Sequence, residues 1–170
     1  MMTLAAPTAP AVAGEGRVLV AGIGEMVITR DPSDVLVAYG LGSCVALAAW
    51  DPQTRLAALA HFMLPSGPLT HPPVKFVDSG LPTFLAEFAK AGGSPRRAQL
   101  KAAGGAAMLA VVATTMEIGK RNADALDKAL GQHGLRLHQS DLGGKAGRTV
   151  QLEPATGRLL IKSVSSVSVL

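Results

Sequence analysis

A single cysteine occurs in the chain, Cys44, and His61 follows it seventeen positions later. A thiol beside an imidazole is a nucleophile–base pair. The ring takes the thiol proton, an ion pair with the imidazolium lowers the thiol pKa, and the sulfur attacks an electrophilic carbon. The residues before the cysteine, GLGS, suit such chemistry. Gly40 and Gly42 let the backbone bend and bring amides close to a bound group. Amides around Gly42, Ser43 and Cys44 would stabilise the oxyanion of a tetrahedral intermediate. Taken together these are the parts of an acyl-transfer site. The same residues also fit a structural reading, since a lone cysteine in an apolar run serves as a small buried hydrophobe. The residues alone leave both readings open. His71, His133 and His138 have no metal-ligand spacing with one another or with Cys44, so no metal site is expected.

Whether thiol and ring meet depends on the elements that carry them. VALAAW (45–50) and LAALAHFML (56–64) are short apolar runs around the turn Asp51-Pro52-Gln53-Thr54, which reads as a β-hairpin. If Trp50 pairs with Arg55, antiparallel register sets Cys44 opposite His61, on the same face of the sheet. A one-residue slip would separate them.

Upstream, RVLVAGIGEMVIT (17–29) predicts one or two strands bent at its glycines, and VLVAY (35–39) another strand. Downstream, Leu81, Phe84, Leu85 and Phe88 fall at helical spacing. Pro82 fits the first turn and Gly92-Gly93 the end, which predicts a helix over 80–91. QLKAAGGAAML (99–109) predicts a strand entering a glycine turn. A second helix is expected near 122–131, capped by Asn122, with Leu126, Ala129 and Leu130 on its buried side. RLHQ (136–139) reads as a strand, DLGGKAGR (141–148) as a glycine loop, and 149–162 as a terminal hairpin. The expected fold is α/β: a mixed β core with helices packed outside.

Composition limits the function classes. Of 170 residues, 48% are apolar and 16% charged, so a substantial core forms and an extended charged or disordered chain is excluded. The net charge is +4, but the densest basic cluster is Arg96-Arg97 with Lys101, without interleaved aromatics, so nucleic acid is not expected as a partner. A single cysteine forms no internal disulfide, which makes the cytoplasm the default compartment. No run approaches the length of a membrane span, and membrane insertion is not expected. Residues 1–16 are Ala/Pro-rich and read as a flexible tail, leaving residues 17–170 as one domain.

GLGSCVALAAWDP followed by AHFMLP resembles the chemoreceptor glutamine deamidase family, CheD. KFVDSGLPTFLAEF, GGAAML, IGKRN, DLGGKAGR and TGRLLIK continue the likeness in family order over about residues 17–162. The resemblance implies a cytoplasmic hydrolase of bacterial chemotaxis. It would convert selected glutamine side chains of chemoreceptors to glutamate, without a metal or organic cofactor. It implies Cys44 as nucleophile, His61 as base, a fold similar to the cytotoxic necrotizing factor deamidases, and a CheC-type phosphatase as a possible second partner. The chain departs from the family at one place. A threonine usually precedes the LGSC stretch and orients the histidine, whereas Ala38 and Tyr39 stand there in this chain. The alternative is a non-catalytic adaptor that binds receptors or CheC through the same surface.

Overall fold

The computed structural model describes residues 15–108 and 113–170; the expected tail therefore lies, apart from Glu15 and Gly16, outside the described residues. Among the described residues ten strands form two mixed five-stranded sheets. The first has β1 (Val18–Val20), β3 (Val35–Leu41), β8 (Arg148–Leu152), β9 (Leu159–Lys162) and β10 (Val167–Val169), side by side in that order. The second runs β2 (Met26–Thr29), β5 (Ala57–Phe62), β4 (Val45–Trp50), β6 (Gln99–Gly104) and β7 (Gln139–Leu142). Pairing is antiparallel except between β1 and β3 and between β6 and β7.

Alternation along β4 and β5 divides the interior in two. Val45, Leu47, Ala49, Ala58, Ala60 and Phe62 face helices α1 (Val77–Lys90) and α2 (Ala113–Gln132). Ala46, Ala48, Ala57 and Leu59 face the first sheet, where they meet Leu36, Ala38, Val150 and Ile161. β4 and β5 are thus buried on both faces, which is why VALAAW and AALAHF read as nearly unbroken apolar runs. Alanines on the inner side leave room for the larger residues of the opposing sheet, as interior packing density demands. No helix among the described residues is long and apolar enough to cross a membrane.

Several expectations shift. α1 starts at Val77, so Pro82 lies in its second turn rather than its first. α2 reaches back to Ala113, which places Asn122 mid-helix and wholly buried instead of at a cap. The strand expected at 136–139 forms three residues later, as β7, because it pairs with Lys101–Gly104 of β6. The terminal hairpin forms as β8 and β9, and the chain then adds β10.

The β4–β5 connection is longer than the four-residue turn expected. Trp50 pairs with Ala57, and Arg55 takes a positive φ of 56° to close the wider loop. A buried carboxylate organises it. Asp51 accepts from the Gln53 and Ser94 amides and from the Arg97 guanidinium, which binds it through two nitrogens at 2.8 and 2.6 Å. The guanidinium holds the Asp51 carboxyl well below the usual carboxylate range. At the same end of the sheet, beyond Thr29 of β2, which pairs with Ala57, Asp34 is held low in the same way by Arg17 and the Thr29 hydroxyl.

Because these folded-state pKa values are depressed, the stability they contribute is present above the unfolded carboxylate pKa near 4 and is lost as pH falls below it. Arg97→Ala is expected to lower unfolding free energy at pH 7 by about 2–3 kcal/mol. That is at or below the low end for breaking a buried pair, because 40% of the Arg97 side chain stays in water. Urea denaturation at pH 7 and pH 3 checks both points: the variant's deficit should shrink at the lower pH.

Candidate active site

His61 is the penultimate residue of β5, and its main chain is committed to the β2 side. Its N–H donates to the Glu25 carbonyl and its own carbonyl accepts from Gly24, at 3.0 and 2.8 Å. Towards β4 it stands opposite Ala46. With both main-chain groups turned the other way, Ala46 and His61 form a non-hydrogen-bonded pair, the type in which facing side chains lie closer. Cys44 is two residues before Ala46 and so shares its face. The register differs by two from the one expected, and a shift of two keeps the face. Cys44 and His61 are diagonal neighbours, not directly opposed, and no hydrogen bond joins them.

His61 is 2% exposed, and Cys44 is half-buried against the inter-sheet core. The ring has a defined tautomer: Nδ1 lies 3.2 Å from the Ala21 carbonyl, which only accepts, so Nδ1 carries the proton. Nε2 is left as an acceptor, buried and with no hydrogen-bond partner. Ala38, in the family's threonine neighbourhood, is an apolar member of the inter-sheet core. A main-chain carbonyl, and no threonine, holds the distal nitrogen.

The loop that carries the thiol is fastened through its carbonyls. Gly42 accepts from the Ala106 amide, Cys44 from the Gly105 amide, and Ser43 from the Asn122 side chain, each at 2.8 Å. In a trans peptide the N–H points opposite to the preceding carbonyl. The Ser43 and Cys44 amides are therefore turned away from β6 and α2. The glycines of the opposing turn are dictated by closeness: a Cβ on Gly104 (φ 114°) would sit 2.2 Å from the Cys44 carbonyl oxygen.

Burial sets the protonation states. It pushes the Cys44 thiol above its ordinary range and the His61 imidazole below its own, the Ala21 contact opposing the latter. Burial therefore favours the neutral thiol and the neutral ring, the opposite direction from the lowered thiol pKa expected of an ion pair. No acidic side chain is needed to fix the ring. Among the described residues no three His, Cys, Asp or Glu side chains gather as a metal ion would require.

Beside this loop lies an open groove of about 640 Å³, lined by Tyr39, Gly40, Met108, Arg148, Lys162 and Val164 among others. Of the two basic residues in DLGGKAGR, Lys145 is exposed. Arg148 is instead committed to the Gly104 and Gly143 carbonyls and to Asp141. Sequence reasoning missed Asn122 as a site residue. The signal is present, since Ile118, Asn122, Leu126 and Leu130 recur at helical spacing and place a polar residue on the buried stripe. The Ala21 carbonyl has no side-chain signal.

Residues 63–163 match the family described as CheD chemotactic sensory transduction, a stretch that begins two residues past His61. The chain is 43% identical over 149 residues to a probable chemoreceptor glutamine deamidase CheD of Symbiobacterium thermophilum, covering 84% of this chain and 90% of that one. It is 41% identical over 146 residues to the chemoreceptor glutamine deamidase CheD of Thermotoga maritima, covering 85% and 91%. A third relative, from Archaeoglobus fulgidus, is 39% identical over 149 residues. The chain belongs to the CheD family.

A resting neutral thiol makes a measurable difference. Alkylation of Cys44 by iodoacetamide in the free protein should rise through an inflection above the ordinary thiol value of about 8.5. An inflection well below 7 would mean a preformed thiolate.

Proposed function

We propose that this protein deamidates glutamine side chains of chemoreceptors, with Cys44 as nucleophile and His61 as base. The observation that carries the reading is His61 itself: a buried ring held by the Ala21 carbonyl, with its free Nε2 on the face that carries the only thiol. Nε2 takes the proton from Cys44 Sγ as the sulfur attacks the carboxamide carbon. Because burial disfavours both charges beforehand, proton transfer accompanies attack. The Ser43 and Cys44 amides, with Gly42 giving the loop its shape, stabilise the oxyanion. The imidazolium protonates the amide nitrogen, which leaves as ammonia, and a thioester remains. Nε2 then deprotonates a water that attacks the thioester carbon. The sulfur departs, is reprotonated, and glutamate is released. The chemistry as written uses no metal or organic cofactor.

Receptor signalling regions are helical, and a helix presents its glutamines on a convex surface. The open groove beside the GLGS loop suits that shape, with Lys162 and Lys145 to attract acidic neighbours of the target. The proline-rich loop SGPLTHPP (66–73) contributes nothing to the groove's lining. A CheC-type phosphatase would compete for the same face. We read the fold as similar to that of the cytotoxic necrotizing factor deamidases; two facing β-sheets with the cysteine just before β4 support that reading.

Mass spectrometry of a receptor fragment incubated with the protein should show a gain of about one dalton per converted glutamine, with stoichiometric ammonia. Cys44→Ala should abolish both, by about 10⁴-fold or more, while still binding the fragment. Binding without turnover by the unaltered protein would establish the adaptor alternative. Since burial lowers the His61 pKa, the acid limb of kcat/KM should fall below pH 6.5.

A further inference from the structure

Asn122 is the one wholly buried amide side chain among the described residues, and it lies in the middle of α2, where packing alone would favour an apolar group. Both hydrogens of its Nδ2 are used. One bond goes to the Ser43 carbonyl at 2.8 Å, the other to the Met63 carbonyl at 2.9 Å. Ser43 immediately precedes the nucleophile, and Met63 is two residues past the base. The amide thus spans the two segments whose separation sets the distance between Cys44 Sγ and His61 Nε2. Its Oδ1 is buried without a partner, the only such side-chain atom besides His61 Nε2 among the described residues. A residue placed for stability alone would not leave an acceptor stranded. The orientation of the amide follows from chemistry, because carbonyl oxygens accept only from the nitrogen.

One turn earlier, α2 approaches the same loop through its backbone. A Cβ on Gly119 would lie 2.5 Å from the Gly105 carbonyl oxygen and 2.6 Å from that of Ala106. Gly105 and Ala106 are the residues whose amides hold Cys44 and Gly42. The helix therefore reaches the nucleophile loop at two successive turns, by contact at Gly119 and by directed hydrogen bonds at Asn122.

We infer that Asn122 is a positioning residue for the deamidation: it ties the Cys44 loop to the end of the His61 strand and so sets the approach of thiol to imidazole. The inference rests on the Cys44–His61 reading above. It differs from a packing role in what it controls. Removing the tether leaves the substrate groove intact but lets the two segments part, and displacements of about 1 Å between reacting groups cost roughly 10²-fold in rate.

The experiment compares Asn122→Ala, Asn122→Asp and Asn122→Ser with Leu130→Ala, a core truncation in the same helix that leaves the tether in place. Steady-state deamidation of a receptor fragment and the rate of Cys44 alkylation against pH are measured well below each variant's melting temperature. Asn122→Ala and Asn122→Asp should lose kcat by roughly 10²-fold with KM within about twofold. Asn122→Ser, whose hydroxyl donates one bond, should fall between them and the unaltered protein. Leu130→Ala should lower the melting temperature and leave kcat within about twofold. In the alkylation assay, adding His61→Ala should slow the unaltered protein but change the Asn122→Ala background little, since the two residues act through one contact. The inference is overturned if Asn122→Ser and Asn122→Ala both keep kcat, if their loss is only in KM, or if Leu130→Ala matches their loss of kcat. It is also overturned if His61→Ala slows alkylation equally in both backgrounds. An unaltered protein that alkylates with His61 dependence yet converts no glutamine would defeat the functional reading instead, and the alkylation arm would still decide the role of Asn122.

Discussion

The register of β4 against β5 is the constraint on which the rest depends. With Ala46 opposite His61, the ring enters the space between the sheets on the side of Cys44, and every larger residue of the helix-facing core is directed the other way. A slip by one residue would exchange the faces. His61 would then enter the helix-facing core among Ala60 and Phe62 positions, and the thiol would face away from it. The register is held at both ends. Asp51 and Arg97 close the loop side, and the Gly24–Glu25 backbone grips His61 at the other. The geometry of the candidate site is therefore a by-product of interactions that also serve folding.

The strands near the site could be read from residue types because they alternate with clear turn chemistry. Asp51-Pro52 marks the hairpin, and the glycines at 104 and 105 mark the end of β6. The register could not be read to the residue. Arg55 adopts a left-handed backbone conformation that no sequence rule assigns to arginine, and this adds two residues to the loop. The face survived because the error was even. α1 was legible from Leu81, Phe84, Leu85 and Phe88, whose spacing has no strand interpretation. The first half of α2 is not, and Asn122 reads as its start because asparagine favours caps over helix interiors. Local preference yielded to a tertiary demand, two carbonyls in need of a donor.

The candidate pair itself was legible because thiol and imidazole are rare here and chemically conspicuous. Their protonation was not. A cysteine near a histidine suggests a thiolate, whereas the burial of thiol and ring favours the neutral forms. Electrostatics of this kind are set by how much water the fold excludes, which depends on long-range packing of two sheets.

The hydrogen bond from His61 to the Ala21 carbonyl has an evolutionary side. A hydroxyl that orients a catalytic histidine is one codon away from loss. A main-chain carbonyl is supplied by every amino acid, so no side-chain replacement at position 21 deletes the acceptor. It moves only if the β1–β2 bend moves, and that bend is pinned by the Ala21 amide on Val37 and the Gly24 amide on His61. Position 38 is thereby released from chemistry and is free to serve the inter-sheet core as alanine. A saturation scan would find no single residue answering to the histidine's third partner.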